Sequence, residues 1–144
     1  MGRRLVIIGG DAAGMSAAAQ ARRMSSADER EILAFERGPH TSYAACGLPY
    51  LVGGLVTAPD ELVARSPEEH RANGIDVRIR HEVTAIDIEA CCVTVRDLGS
   101  DRGDTVIHYD ELLIATGKLH GAFYRPNPEW VEPLLDWVEG RLQR

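Results

Sequence analysis

The run LVIIGGDAAGMSAAAQARR, residues 5–23, decides the fold. It opens with an unbroken apolar stretch rich in branched side chains, the pattern of a strand buried on both faces. A strand is expected over Arg4–Ile8, and Gly9 and Gly10 then make a turn. From Ala13 to Met24 alanine dominates. Alanine is the best helix former, and a face of small side chains suits close packing on a sheet. A second apolar run, Glu31 to Phe35, ends at Glu36. Strand, glycine turn, helix and strand within about 30 residues make a βαβ unit, and such units build parallel sheets.

The turn Gly9-Gly10-Asp11-Ala12-Ala13-Gly14 stands where a dinucleotide-binding fingerprint belongs. In that pattern the first glycine permits the tight turn and the last permits close helix–strand packing. Asp11 occupies the middle glycine position, and a carboxylate there disfavours a pyrophosphate unless it points away. Glu36 follows about 20 residues past the turn, where a carboxylate reaches ribose hydroxyls. The alternative is an ordinary βα turn, with Glu36 a solvated strand-end charge.

Downstream, residues 38–59 are rich in Gly, Pro and Tyr and lack periodicity. A loop of that length usually serves a function or is disordered. Ser66-Pro67-Glu68-Glu69 carries a cap residue, a first-turn proline and a glutamate three after the cap, which predicts a helix over Pro67–Asn73 stopping at Gly74. Val83–Ile88, Val93–Arg96 and Thr105–Tyr109 read as a three-stranded antiparallel meander. Leu112–Ala115 reads as another buried parallel strand, ending in Ala115-Thr116-Gly117. The fold class is therefore α/β, a Rossmann-like parallel sheet plus a meander, over residues 1–117. Residues 118–144 read as a linker, with Pro126 and Pro128, followed by a C-terminal helix of unassigned role with Trp130, Val131, Leu134, Leu135, Val138 and Leu142 at helical spacing.

A chain of 144 residues is one domain's worth. The net charge of −6 argues against a nucleic-acid surface, though helix N-termini bind phosphate without basic side chains. Charges break the apolar stretches well short of the about 20 residues that a membrane helix needs. Gly-Gly-Asp interrupts the N-terminal run, so it does not read as a signal peptide, and the cytoplasm is the expected compartment. Three cysteines, an odd count, do not suggest a disulfide framework. Cys91 and Cys92 sit at a predicted hairpin and read as bystanders. His40, His70, His81, His108 and His120 are scattered and suggest no metal site.

TSYAACGLPY, residues 41–50, places Cys46 among small residues. Alone it reads as a packed thiol, since free cysteine is often buried. Taken together, the glycine turn, FERG at 35–38, Ser42-Tyr43-x-x-Cys46-x-x-x-Tyr50 and YDELLIATG at 109–117 resemble the FAD domain of the flavin-dependent disulfide reductases. The similarity is to the branch of coenzyme A-disulfide reductases, NADH oxidases and NADH peroxidases, which carries one redox cysteine. It covers roughly residues 3–117.

The resemblance implies that Gly9, Gly10, Ala12, Ala13 and Gly14 wrap the FAD pyrophosphate. Glu36 would bind the adenosine ribose with Arg37 beside it, and Val83 would meet adenine through its backbone. Ala115, Thr116 and Gly117 would close on the cofactor. Cys46 would face the flavin, taking an electron pair that began as a hydride on NAD(P)H and passing it to a small-molecule disulfide or to oxygen or peroxide. A thiolate is the nucleophile in such chemistry, and a helix beginning at Gly47 would favour it. Ser42, Tyr43 and Arg22 are implied near the substrate. Arg22 and Arg23 are equally explained as charges favoured at a helix C-terminus. Ala45 stands where the branch often has asparagine, so the oxidised substrate stays open. Longer relatives add an NAD(P)H domain and a dimerisation domain. The two readings are an N-terminal part of such an oxidoreductase and a nucleotide-binding remnant without turnover.

Overall fold

The computed structural model describes residues 2–117. The expected linker and C-terminal helix fall outside the described residues. Strand β1 (Arg3–Ile8) leads through the glycine turn into helix α1 (Ala12–Met24) and strand β2 (Arg30–Glu36). A short helix α2 (Leu48–Val52) and helix α3 (Pro67–Ala72) follow. Then come β3 (Asp76–Ile79), β4 (His81–Asp87), β5 (Cys92–Asp97), β6 (Thr105–His108) and β7 (Glu111–Ile114).

One sheet has four strands in the order β3-β2-β1-β7, and its pairs are parallel. The other is the expected meander, β4-β5-β6, antiparallel throughout. Side chains alternate across the parallel sheet. Ile7, Ile32, Ala34 and Val77 pack with Met15 and Ala18 of α1 on one face. Val6, Ile8, Leu33 and Phe35 pack with Val93 and Val95 of β5 on the other. The layers run helix, parallel sheet, meander. Two covered faces explain why β1 and β2 read as continuous apolar runs rather than alternating ones.

The α3 start obeys its sequence signature. Glu69 N–H donates to Ser66 Oγ at 3.2 Å and Ser66 N–H donates to Glu69 Oε2 at 2.7 Å. The helix ends at Ala72 with Asn73 as its C-cap, one residue short of expectation. Strand β3 was not expected. Its four residues carry Asp76 and Arg78, and only pairing with β2 makes it a strand. Arg78 then lies over the Phe35 ring, 5.7 Å from its centroid.

Beyond β1 the chain steps to β2 and β3 on one side, while β7 lies on the other. The switch point is thus between β1 and β7, where open α/β sheets hold ligands beyond the carboxyl ends of their strands. Phe35 is 2% exposed between sheet and meander. Phe35→Ala should cost about 3–5 kcal/mol, read as a fall in the denaturant midpoint. A loss under about 1 kcal/mol would contradict this packing.

Candidate functional site

Everything in this region hangs on the end of β1. Gly9 has φ of +111°, and a Cβ there would run into the Ala115 carbonyl at the exit of β7. A Cβ on Gly14 would overlap the Gly9 carbonyl oxygen, so α1 starts directly against the turn. Ala115 N–H donates to Ile8 carbonyl at 2.8 Å, which carries the β1–β7 ladder up to the turn. Thr116 and Gly117 follow at the exposed rim. Ala12 and Ala13, in the first turn of α1, are exposed, and no side chain caps that turn. The first turn of a 13-residue helix is thus exposed and has no side-chain cap, as an anion site requires.

Asp11 is the N-cap residue, but its carboxylate does not cap. Its Oδ1 accepts from Tyr43 N–H at 3.0 Å instead. The side chain that would disfavour a pyrophosphate is turned toward the cysteine loop.

Glu36 reaches back to the turn. Its Oε2 accepts from Gly10 N–H at 2.7 Å and its Oε1 from Gly38 N–H at 2.6 Å. A carboxylate has about four acceptor positions, so two remain for hydroxyl donors. Arg37 is exposed and lies 3.8 Å from Glu82 of β4, a weak pair at that exposure. Val83, half-buried, packs against the cluster around Phe35 on β4, the edge strand of the meander. The β4–β5 register shifts between Val83 and Ala85.

The cysteine loop is tied to the same turn. Thr41, fully buried, donates its hydroxyl to Gly10 carbonyl at 2.6 Å, and Ser42 N–H donates to that oxygen at 2.9 Å. Ser42 has φ of +53°, an uncommon conformation for a residue with a Cβ. Its carbonyl accepts from Ala64 N–H at 3.0 Å. Tyr43 bridges antiparallel to Val63, and its ring stacks on His40 with centroids 5.9 Å apart. Ala45–Gly47 forms a tight turn, with exposed Cys46 at its centre, and α2 follows from Leu48. The helix expected after Cys46 is present, five residues long. Tyr50, on α2, is 57% exposed.

Arg22 lies at the opposite end of α1, about 15 Å along its axis from the turn at 1.5 Å per residue. Its guanidinium donates to the carbonyls of Gly74, Ser25 and Arg30 at 3.2, 3.3 and 2.6 Å. Arg23 donates to Gln20. Cys91 is exposed and Cys92 buried at the β4–β5 hairpin. Among the described residues no group of three or more His, Cys, Asp or Glu could hold a metal, and no helix is long and apolar enough to cross a membrane.

Two contributions were invisible in the sequence. His70, 2% exposed on α3, places Nε2 3.0 Å from Ser42 Oγ. Burial pushes its imidazole below the ordinary value of 6.5, with Arg65 adding to the effect and Glu69 opposing it. Asp11 acts as a tie to the cysteine loop. Nothing local marks either, because each partner is about 30 residues away in the chain.

Residues 3–128 match the model of the pyridine nucleotide-disulphide oxidoreductases, a match that runs past Gly117. The NAD(P)H coenzyme A polysulfide/persulfide reductase of Pyrococcus horikoshii is 40% identical over 118 residues, 81% of this chain and 25% of that protein. The NADH oxidase of Mycoplasma pneumoniae is 31% identical over 115 residues, 80% of this chain and 23% of that protein. Reduced CoADR-RHD from Bacillus anthracis superposes with a TM-score of 0.73 at 35% identity, covering 79% of this chain and 20% of that one. The chain spans about a quarter of the length of the curated relatives it matches. With the family match running through sheet, glycine turn and cysteine loop alike, the chain belongs to the pyridine nucleotide-disulphide oxidoreductase family.

Proposed function

We propose that this chain supplies the FAD-binding part of a flavin-dependent oxidoreductase in which Cys46 is the redox-active thiol. The observation that carries the reading is the tie between the uncapped glycine turn and the cysteine loop, made by Thr41, Ser42 and Tyr43. A nucleotide site and a thiol held on one rigid piece of backbone suit a reaction that joins them. The cradle fits the cofactor. Gly9 and Gly14 leave no Cβ at the turn, Ala12 and Ala13 present small side chains, and Asp11 is turned aside.

In this reading the N–H groups of the Gly9–Gly14 turn hold the pyrophosphate. Glu36 accepts from ribose hydroxyls with its remaining lone pairs, with Arg37 adjacent, and the Val83 backbone meets the adenine. Ala115, Thr116 and Gly117 shield the cofactor beyond β7. A bound FAD would supply two-electron transfer between a nicotinamide, NAD(P)H, and a thiol. The Cys46 thiolate attacks one sulfur of a small-molecule disulfide, such as coenzyme A disulfide. A mixed disulfide forms and the other sulfur leaves as a thiolate. With oxygen or peroxide as the acceptor, the same sulfur would cycle through its sulfenic acid. Ser42 and Tyr43 place the loop against that substrate. The nicotinamide site and a homodimer contact belong to the longer protein.

Purified chain should keep flavin absorbance through desalting, and Cys46→Ser should keep it too while losing the fast reaction with a disulfide probe. A colourless protein that takes up no added FAD would sink the proposal. Ala12→Glu should leave the melting temperature unchanged or higher, because a carboxylate suits a helix N-terminus. It should weaken flavin retention about tenfold, the effect of a like charge worth about 1.4 kcal/mol beside the pyrophosphate. Asp11→Asn keeps an acceptor for Tyr43 N–H and removes a charge, so retention should rise about twofold to fivefold, as removing a carboxylate from an anion site implies.

A further inference from the structure

Thr41 and His70 are the buried polar side chains among the described residues, and both bond into the start of the cysteine loop. Thr41 anchors it to the glycine turn. His70 reaches it from α3, on the other side. A buried imidazole costs stability unless its polar atoms find partners, and an apolar side chain would fill that face of a short helix more cheaply. The partner it finds is Ser42 Oγ at 3.0 Å.

Ser42 is where the loop is most constrained. Its φ of +53° must be held by its surroundings, and its N–H and carbonyl are both engaged, with Gly10 and Ala64. The side-chain bond to His70 is the remaining fixed point. From there the chain reaches Cys46 through a short bonded path. Ala45 N–H donates to Tyr43 carbonyl at 3.0 Å and Gly47 N–H to Ala44 carbonyl at 2.8 Å. The stretch between Ser42 and the thiol four residues on is thus short and internally bonded. The α3 end is equally firm, because the His70 carbonyl accepts from Asn73 and Ile75 N–H, both at 3.1 Å.

We propose that His70 is a positioning residue for the Cys46 thiol, acting through Ser42. The proposal rests on Cys46 being the redox thiol and adds what sets its place. Nε2 either accepts the Ser42 hydroxyl proton or donates to its oxygen, according to the tautomer; both need the ring in place. The charged groups acting on the ring are Arg65, which disfavours its cation, and Glu69, which favours it. Strand β3, packed on α3, presents Asp76 and Arg78, which pair with each other at 2.8 Å. With its value lowered in the folded state, the imidazole binds fewer protons folded than unfolded. Its neutral form supports the loop above 6.5, and that support is lost as the pH falls through the lowered value.

The test is the rate at which Cys46 reacts with dithiodipyridine over roughly pH 5 to 9, the range that brackets imidazole and thiol titration. The labelled peptide is identified by mass spectrometry, so that exposed Cys91 does not contribute. The full chain is compared with His70→Phe, His70→Gln and Ser42→Ala. Both His70→Phe and Ser42→Ala should change the Cys46 rate by about threefold or more, and the double variant should do no more than the larger single change, as contacting residues do. His70→Gln, whose amide reaches the same point, should recover most of the rate. The parent should show an acid-side inflection that His70→Phe lacks. Unchanged Cys46 rates and profiles in all variants, with only melting temperatures lowered, would overturn the proposal. Should His70→Phe not fold, Ser42→Ala and His70→Gln decide it alone: failure of Ser42→Ala to alter the rate sinks it. A parent rate like that of an ordinary thiol, still altered by Ser42→Ala, would instead sink the redox reading and leave the positioning in place.

Discussion

At Gly9 three backbones meet more closely than a Cβ allows: the end of β1, the Ala115 carbonyl leaving β7 and the first turn of α1 at Gly14. The rest of the structure follows from that approach. It sets β7 beside β1 and so creates the switch point. It drops α1 onto the sheet, where Met15 and Ala18 close one core. It also leaves the first turn of α1 exposed and without a side-chain cap beside the strand ends. A βα turn with side chains would have to open, and the sheet edge and the helix seat would loosen together.

Much of this was legible. The apolar runs of β1 and β2, the alanine-rich helix and the Ser66–Glu69 capping box are local signals, and the structure keeps them within one or two residues. The meander was readable because alternation is local too. Strand β3 was not, since four residues with two charges become a strand only by lying against β2. The same physics hid half of the site. Gly9 and Gly14 announce themselves by type and spacing, whereas Cys46 alone reads as a packed thiol and stands out only through the family resemblance. His70 reads as one of five scattered histidines until the fold brings Ser42 to it.

Asp11 shows how a local rule yields to a tertiary one. By composition it damages a glycine fingerprint. By position it is an N-cap residue, a role in which aspartate normally bonds its own helix. It does neither, because Tyr43 N–H offers an acceptor site across the loop. The helix end stays open and the loop gains a tie. Arg22 illustrates the reverse. A basic residue at a helix C-terminus could serve a distant phosphate, yet its donors satisfy three carbonyls where the end of α1, the start of β2 and Gly74 in the turn after α3 converge.

The Gly10 peptide unit is held from both sides, its N–H by Glu36 and its carbonyl by Thr41 and Ser42. It is therefore a shared lever between the Glu36 carboxylate at the end of β2 and the loop that bears Cys46. Any occupant that prefers one setting of that peptide biases the other end by the same free energy, because linkage between two sites is reciprocal. The setting of the Glu36 carboxylate and that of the Cys46 loop thereby meet in a single peptide unit, so neither end can shift without a free-energy consequence at the other.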